Sequence, residues 1–193
     1  GFRFNAGGAH LRLGLKPDIA VFAKGMSNGY PMAAIIGRRK VMQAAQDTFI
    51  SSTYWTDRIG PAAALATIRK IKNKDIPKHL DYIGGKVQAG WKALARRHGV
   101  DIEVDGTLPL GHFSFIHKEP LVLKTLFTQL LLDDGILATT AFYASYAHKE
   151  KHVDRYLRAA DRAFEFIAKA TACGRPLKYL KGPVCQSGFK RLA

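Results

Sequence analysis

The sequence predicts an α/β chain whose last part is a smaller α+β lobe, and three features predict it. Ile19-Ala20-Val21-Phe22 is a continuous apolar run without polar alternation, which fits a strand buried on both faces and therefore a parallel sheet. An Ala-rich helical pattern from Pro61 to Lys72 follows it. Further on, two stretches of period-two alternation, Val100 to Val104 and Phe113 to Ile116, lie among longer helical patterns, the mark of an antiparallel sheet with helices on one side. The 193 residues are 47% hydrophobic and 23% charged, which excludes a mostly disordered or collagen-like chain. No run approaches the roughly 20 apolar residues of a membrane-spanning helix.

Taken in order, Gly7, Gly8, Gly14 and Pro17 punctuate a loop leading into the 19–22 strand. Turn residues fill Lys24 to Pro31, and Ala33 to Gly37 reads as a second short buried strand. A helix is predicted over about Arg38 to Gln46, and Phe49 to Trp55 reads as strand or extended loop. Pro61 fits the first turn of the next helix, where its missing N–H costs little. Leu65, Ile68 and Ile71 recur on that helix at helical spacing and predict close packing on a sheet.

The chain turns polar between Lys72 and Pro77, which places a domain boundary there. A helix is predicted from Lys78 to His98, ending at Gly99, although Gly84-Gly85 weakens its interior. After the two alternating strands, Pro120 to Leu132 and Lys151 to Thr171 read as helices. The second carries Val153, Tyr156, Leu157, Ala160, Phe164 and Ile167 on one face.

Thirty Lys and Arg against fifteen Asp and Glu leave a net charge of +15. Such a charge attracts nucleic acid, anionic membranes or small anions alike. The basic clusters Arg38-Arg39-Lys40 and Arg69, Lys70, Lys72 and Lys74 support a non-enzymatic module binding nucleic acid or another polyanion as an alternative function. No nucleic-acid motif accompanies them, and such residues more often form a solvated helix face. Cys173 and Cys185 show no CxxC spacing, so a reduced cytoplasmic chain is the expectation. The chain opens Gly1-Phe2-Arg3 without the pattern of a secretory signal.

Lys24 is the residue best placed for chemistry, standing directly after a buried apolar strand and before a Gly-rich loop. Partial desolvation would favour its neutral amine, the form that attacks a carbonyl to make a Schiff base. The plain alternative is a loop lysine reaching water.

The segment Lys16-Pro17-Asp18-Ile19-Ala20-Val21-Phe22-Ala23-Lys24-Gly25, followed by Gly29-Tyr30-Pro31 and Gly37-Arg38-Arg39, resembles the cofactor-lysine region of class III aminotransferases. These are pyridoxal phosphate enzymes of the aspartate-aminotransferase fold type. Within the family the likeness is strongest to glutamate-1-semialdehyde 2,1-aminomutase and its aminotransferase relatives. The resemblance implies that Lys24 is the catalytic residue and holds pyridoxal 5'-phosphate as a Schiff base. It also implies a homodimer acting on a small-molecule amino donor and acceptor. Residues 1–74 would then be the C-terminal part of the cofactor-binding large domain, and residues 75–193 the small α+β C-terminal domain.

Ser52 to Pro61 resembles the family's Thr-x-x-x-x-Pro segment, whose threonine binds cofactor phosphate across the dimer interface. Thr56 lies five before Pro61 and 32 after Lys24, the spacings of that pattern, and Thr53 is the alternative. Simple capping of a strand-to-helix loop is the structural reading of the same hydroxyls. Gly1-Phe2-Arg3 resembles the tail of the family's Asp-Glu-Val-x-x-Gly-Phe-Arg motif, whose Asp pairs with the cofactor's pyridine nitrogen. The upstream half of the family fold has no counterpart in this sequence, so the expectation is the C-terminal fragment of a longer enzyme.

His148 and His152 stand four apart around Glu150. They do not form His-Glu-x-x-His, and a helix-surface pair is favoured over a metal site. His112 reads as a satisfied strand histidine, and Phe142, Tyr143 and Tyr146 read as core. Neither metal nor membrane is expected.

Overall fold

A computed structural model describes residues 1–188. The chain divides into two units, Gly1–His79 and a second starting at Leu80.

The first unit opens with a short helix, α1 (Ala9–Arg12), and then strand β1 (Ile19–Phe22). A 3-10 turn (Lys24–Met26) leads to β2 (Ala34–Gly37), followed by α2 (Arg39–Met42) and a 3-10 turn (Gln43–Asp47). The last full helix of this unit is α3 (Ile59–Asn73). β1 pairs antiparallel with β2 in the register Val21 opposite Ile35 and Ala20 opposite Ile36. This corrects the expectation of doubly buried strands in a parallel sheet. The two strands form a two-stranded sheet, and Val21 is 68% and Ile35 60% exposed. An apolar run specifies a strand that wants two covered faces, and it does not specify which segments cover them.

The 49–55 segment contains no strand, and Phe49 points out at 94% exposure. α3 starts two residues before Pro61, with the Asp57 carboxylate accepting the Ile59 N–H at 2.8 Å. It buries Gly60, Ala64 and Ile71. Leu65, expected on the packed face, is exposed. The buried Ala64 and Ile71 stand seven apart, so the inward stripe is narrower than the three-residue pattern suggested.

Helix α4 (Ile76–His98) runs unbroken through Gly84-Gly85 and ends at Gly99 with φ of 64°, the left-handed C-terminal conformation that favours glycine. A side chain at Gly84 would overlap the Leu108 carbonyl. The glycine therefore lets the turn between β3 (Ile102–Thr107) and β4 (Leu110–Phe115) approach the helix backbone. β3 and β4 pair antiparallel with Val104 opposite Phe113. A third strand, β5 (Ala141–Tyr143), adds to β4 with Gly111 opposite Phe142. β5 has no signature in the sequence because three residues are too few to display alternation.

α5 (Pro120–Asp133) and α6 (Glu150–Ala172) complete the second unit. β4 turns Phe113 and Phe115 inward and His112 and Ser114 outward, which places His112 on the exposed side. Phe113 is the hub of the core, with ring centroids 5.0 Å from Trp91, 5.3 Å from Phe127 and 5.8 Å from Phe164. Val153, Tyr156, Ala160, Phe164 and Ile167 of α6 are buried as their spacing predicts, while Leu157 is only half-buried. Cys173 and Cys185 are free thiols.

Candidate active site

β1 ends at Phe22, and Lys24 opens the following 3-10 turn with φ of 51°. A lysine has no side-chain hydrogen bond to offset this left-handed conformation, which costs of order 1–3 kcal/mol and is characteristic of functional turns. Met26 and Ser27, immediately after it, are buried, and the Ser27 hydroxyl donates to the Tyr30 carbonyl. The turn is thus anchored behind Lys24 while Lys24 itself is exposed. The burial anticipated from the neighbouring apolar strand is not found, because that strand is itself only partly covered, with Ile19 and Val21 exposed and Ala20 and Phe22 half-buried.

Gly1-Phe2-Arg3 lies beside this turn. The Phe2 ring is 5.6 Å from that of Phe22.

The loop after Lys24 reaches the first turn of α3. Gly60 is buried there, and a side chain on it would crowd Met32 and the Pro31 carbonyl. Thr56 sits in the turn that precedes α3 and is exposed, as is Thr53. Ser52 is used locally, its hydroxyl accepting the Tyr54 N–H at 3.3 Å. The fold therefore brings the Lys24 turn and the start of α3 together.

The second unit holds a cavity of about 470 Å³ between α4, the 135–138 loop, β5 and α6. Phe142, Tyr143, His148 and His152 line it. This corrects two expectations. Tyr143 is 64% exposed, so the aromatic cluster is not simply core. His148 precedes α6, which begins at Glu150, so the two histidines are not a helix-surface pair. The His148 Nδ1 accepts the Ser145 N–H at 3.0 Å and the His152 Nδ1 accepts the Lys149 N–H at 3.1 Å. The sequence signals that point here are the His148 and His152 spacing and the aromatic cluster of Phe142, Tyr143 and Tyr146.

Comparison with known proteins gives these features a family. Residues 5–158 match the family described as aminotransferase class-III. The chain is 28% identical over 178 residues to aminopentol aminotransferase of Sphingopyxis macrogoltabida, covering 91% of this chain and 42% of that protein. It is 29% identical over 157 residues to 2'-deamino-2'-hydroxyneamine transaminase of Streptomyces kanamyceticus, covering 81% of this chain and 40% of that protein. Among solved structures, the PLP internal aldimine form of the Sphingopyxis sp. MTA144 FumI protein is similar at a TM-score of 0.81 and 28% identity, over 92% of this chain and 44% of that one. An omega-transaminase from Sphaerobacter thermophilus shares the fold at a TM-score of 0.73 and 21% identity, over 87% of this chain and 42% of that one. The chain thus spans about two fifths of the length of the curated relatives it matches. With residues 5–158, most of its length, matched by this one family, the chain belongs to the class III aminotransferases.

Proposed function

We propose that this chain is the lysine-bearing C-terminal part of a pyridoxal phosphate-dependent aminotransferase that works as a homodimer. The observation that carries the reading is Lys24 itself, an exposed primary amine held in a strained left-handed turn at the end of β1. Residues 1–74 belong in this reading to the cofactor-binding domain and residues 75–193 to the small domain.

The residues present fit the group. Lys24 offers the amine that an aldehyde requires, and Thr56 offers a hydroxyl next to the start of α3, where backbone N–H groups and the helix dipole favour a phosphate. Asp57 already takes one of those N–H groups, which leaves Thr56 the more important donor. When bound, pyridoxal phosphate supplies an electron sink for the bond broken at the amino-bearing carbon. Lys24 Nζ would hold the group and would move a proton at that carbon.

Relatives named aminotransferase and transaminase support transfer between two molecules. The intramolecular amino migration of glutamate-1-semialdehyde aminomutase is the finer alternative within the same chemistry. The reading of a basic nucleic-acid module has no support among these relatives.

The test is to load the full-length protein with pyridoxal phosphate, reduce with borohydride and map the modified lysine by mass spectrometry, alongside an amino-transfer assay. Label at Lys24 and turnover, both lost in Lys24→Ala, are the expected results. An adduct on another lysine, or turnover that survives Lys24→Ala, overturns the assignment.

A further inference from the structure

We propose that Ser27 is a positioning residue for Lys24, its buried hydroxyl fixing the turn from which the Lys24 amine is presented. Its role rests on the reading of Lys24 as the amine that holds pyridoxal phosphate.

Lys24 has φ of 51°, a backbone conformation that such a residue keeps only where its surroundings over-determine it. Lys24 is itself exposed, so the constraint comes from the residues that follow it. The Met26 N–H donates to the Ala23 carbonyl at 3.2 Å and closes the backbone around Lys24, and the Met26 side chain is buried. Ser27 is 1% exposed, and its hydroxyl donates to the Tyr30 carbonyl. That bond spans Asn28 and Gly29, left-handed at φ of 51° and 116°, two residue types that reverse a chain at little cost. Beyond it, Met32 and the Pro31 carbonyl abut Gly60 at the start of α3.

Ser27 thus links the strained residue to the packed end of the loop. A buried hydroxyl without an acceptor is costly, so Ser27 stays on the Tyr30 carbonyl, and the backbone three residues earlier is denied its relaxed right-handed form. Release of that form would swing the Lys24 side chain away from its present direction. A reacting group misplaced by about 1 Å can lose about a hundredfold in rate.

The test uses the full-length protein. In the crystal structure of Ser27→Ala, Lys24 is expected to leave the left-handed region, and kcat for amino transfer to fall at least about tenfold with KM changed less than about twofold. In a Lys24→Ala background, methylamine in solution stands in for the missing amine and is not held by the turn. Adding Ser27→Ala there should change the rescued rate less than about twofold, whereas general damage to the site lowers both backgrounds alike. A Lys24 φ that stays near 51° in Ser27→Ala overturns the proposal, as does an unchanged kcat or an equal loss in both backgrounds. If methylamine rescues nothing, φ and kcat decide alone. If Ser27→Ala does not fold, Ser27→Cys, whose thiol is a weaker donor, is read by the same criteria. Turnover in Lys24→Ala without methylamine overturns the amino-transfer role of Lys24 and that of Ser27 with it, whereas an inactive Lys24→Ala beside an unaffected Ser27→Ala overturns the role of Ser27 alone.

Discussion

The indole N–H of Trp91 donates a 2.7 Å hydrogen bond to the Tyr156 hydroxyl and joins α4 to α6 inside the second unit. Trp91 is fully buried, and burial raises the Tyr156 hydroxyl well above its ordinary value, with the Trp91 hydrogen bond opposing. The hydroxyl therefore stays neutral and remains the partner of the indole. Tyr156→Phe leaves that N–H unpaired, and the expected cost is about 1–3 kcal/mol in urea denaturation. A double-mutant cycle with Trp91→Phe should return a coupling of about 1 kcal/mol.

Adjacent glycines of α4 should respond in opposite directions. A methyl at Gly84 overlaps the Leu108 carbonyl, while one at Gly85 meets only the Leu108 side chain at 3.7 Å. Gly84→Ala should destabilise by about 1–3 kcal/mol or more, because a backbone carbonyl must move. Gly85→Ala should be neutral or stabilise by up to about 1 kcal/mol through helix propensity. Denaturant midpoints of the two variants test the contrast.

Glu150, in the first turn of α6, accepts the Tyr82 hydroxyl and lies 3.5 Å from the Lys86 ammonium. The Tyr82 hydrogen bond and then the Lys86 charge hold its carboxyl below the ordinary carboxylate range. A lowered folded-state value contributes stability above the unfolded pKa of about 4.3, and that contribution is lost as pH falls through the folded value. Glu150→Gln should therefore be less stable than the parent at pH 7. The gap should close as pH drops below about 4, as followed by urea titrations at each pH.

Thr56→Ala should weaken pyridoxal phosphate binding roughly tenfold to a hundredfold, the worth of a hydrogen bond to a charged oxygen. Thr53→Ala should leave it unchanged. Cofactor titration followed by absorbance compares the two, and the reverse order would move the phosphate ligand to Thr53.

Legibility in the sequence followed the range of the interaction concerned. α4, α5 and α6 were readable because a stripe such as Val153, Tyr156, Ala160, Phe164 and Ile167 repeats within one helix. The β3–β4 pair was readable because Phe113 and Phe115 alternate with His112 and Ser114. Lys24 stood out because an apolar strand ends directly before it. The cavity was not legible, since its walls come from α4, the 135–138 loop, β5 and α6, and no local pattern links Val87 to Tyr156.

The sequence by itself determined that β1 to β4 and α3 to α6 form where they do, and that a lysine follows β1. Those outcomes depend on side-chain periodicity and turn chemistry within about twenty residues. Only the tertiary structure decided that β1 pairs antiparallel with β2, that Lys24 is exposed in a left-handed turn, and that Gly84 exists to admit the Leu108 carbonyl. It also decided that His148 and His152 each accept a backbone N–H on Nδ1. Each of these depends on which distant or backbone group occupies the neighbouring space, and burial free energy rewards coverage without naming the segment that provides it.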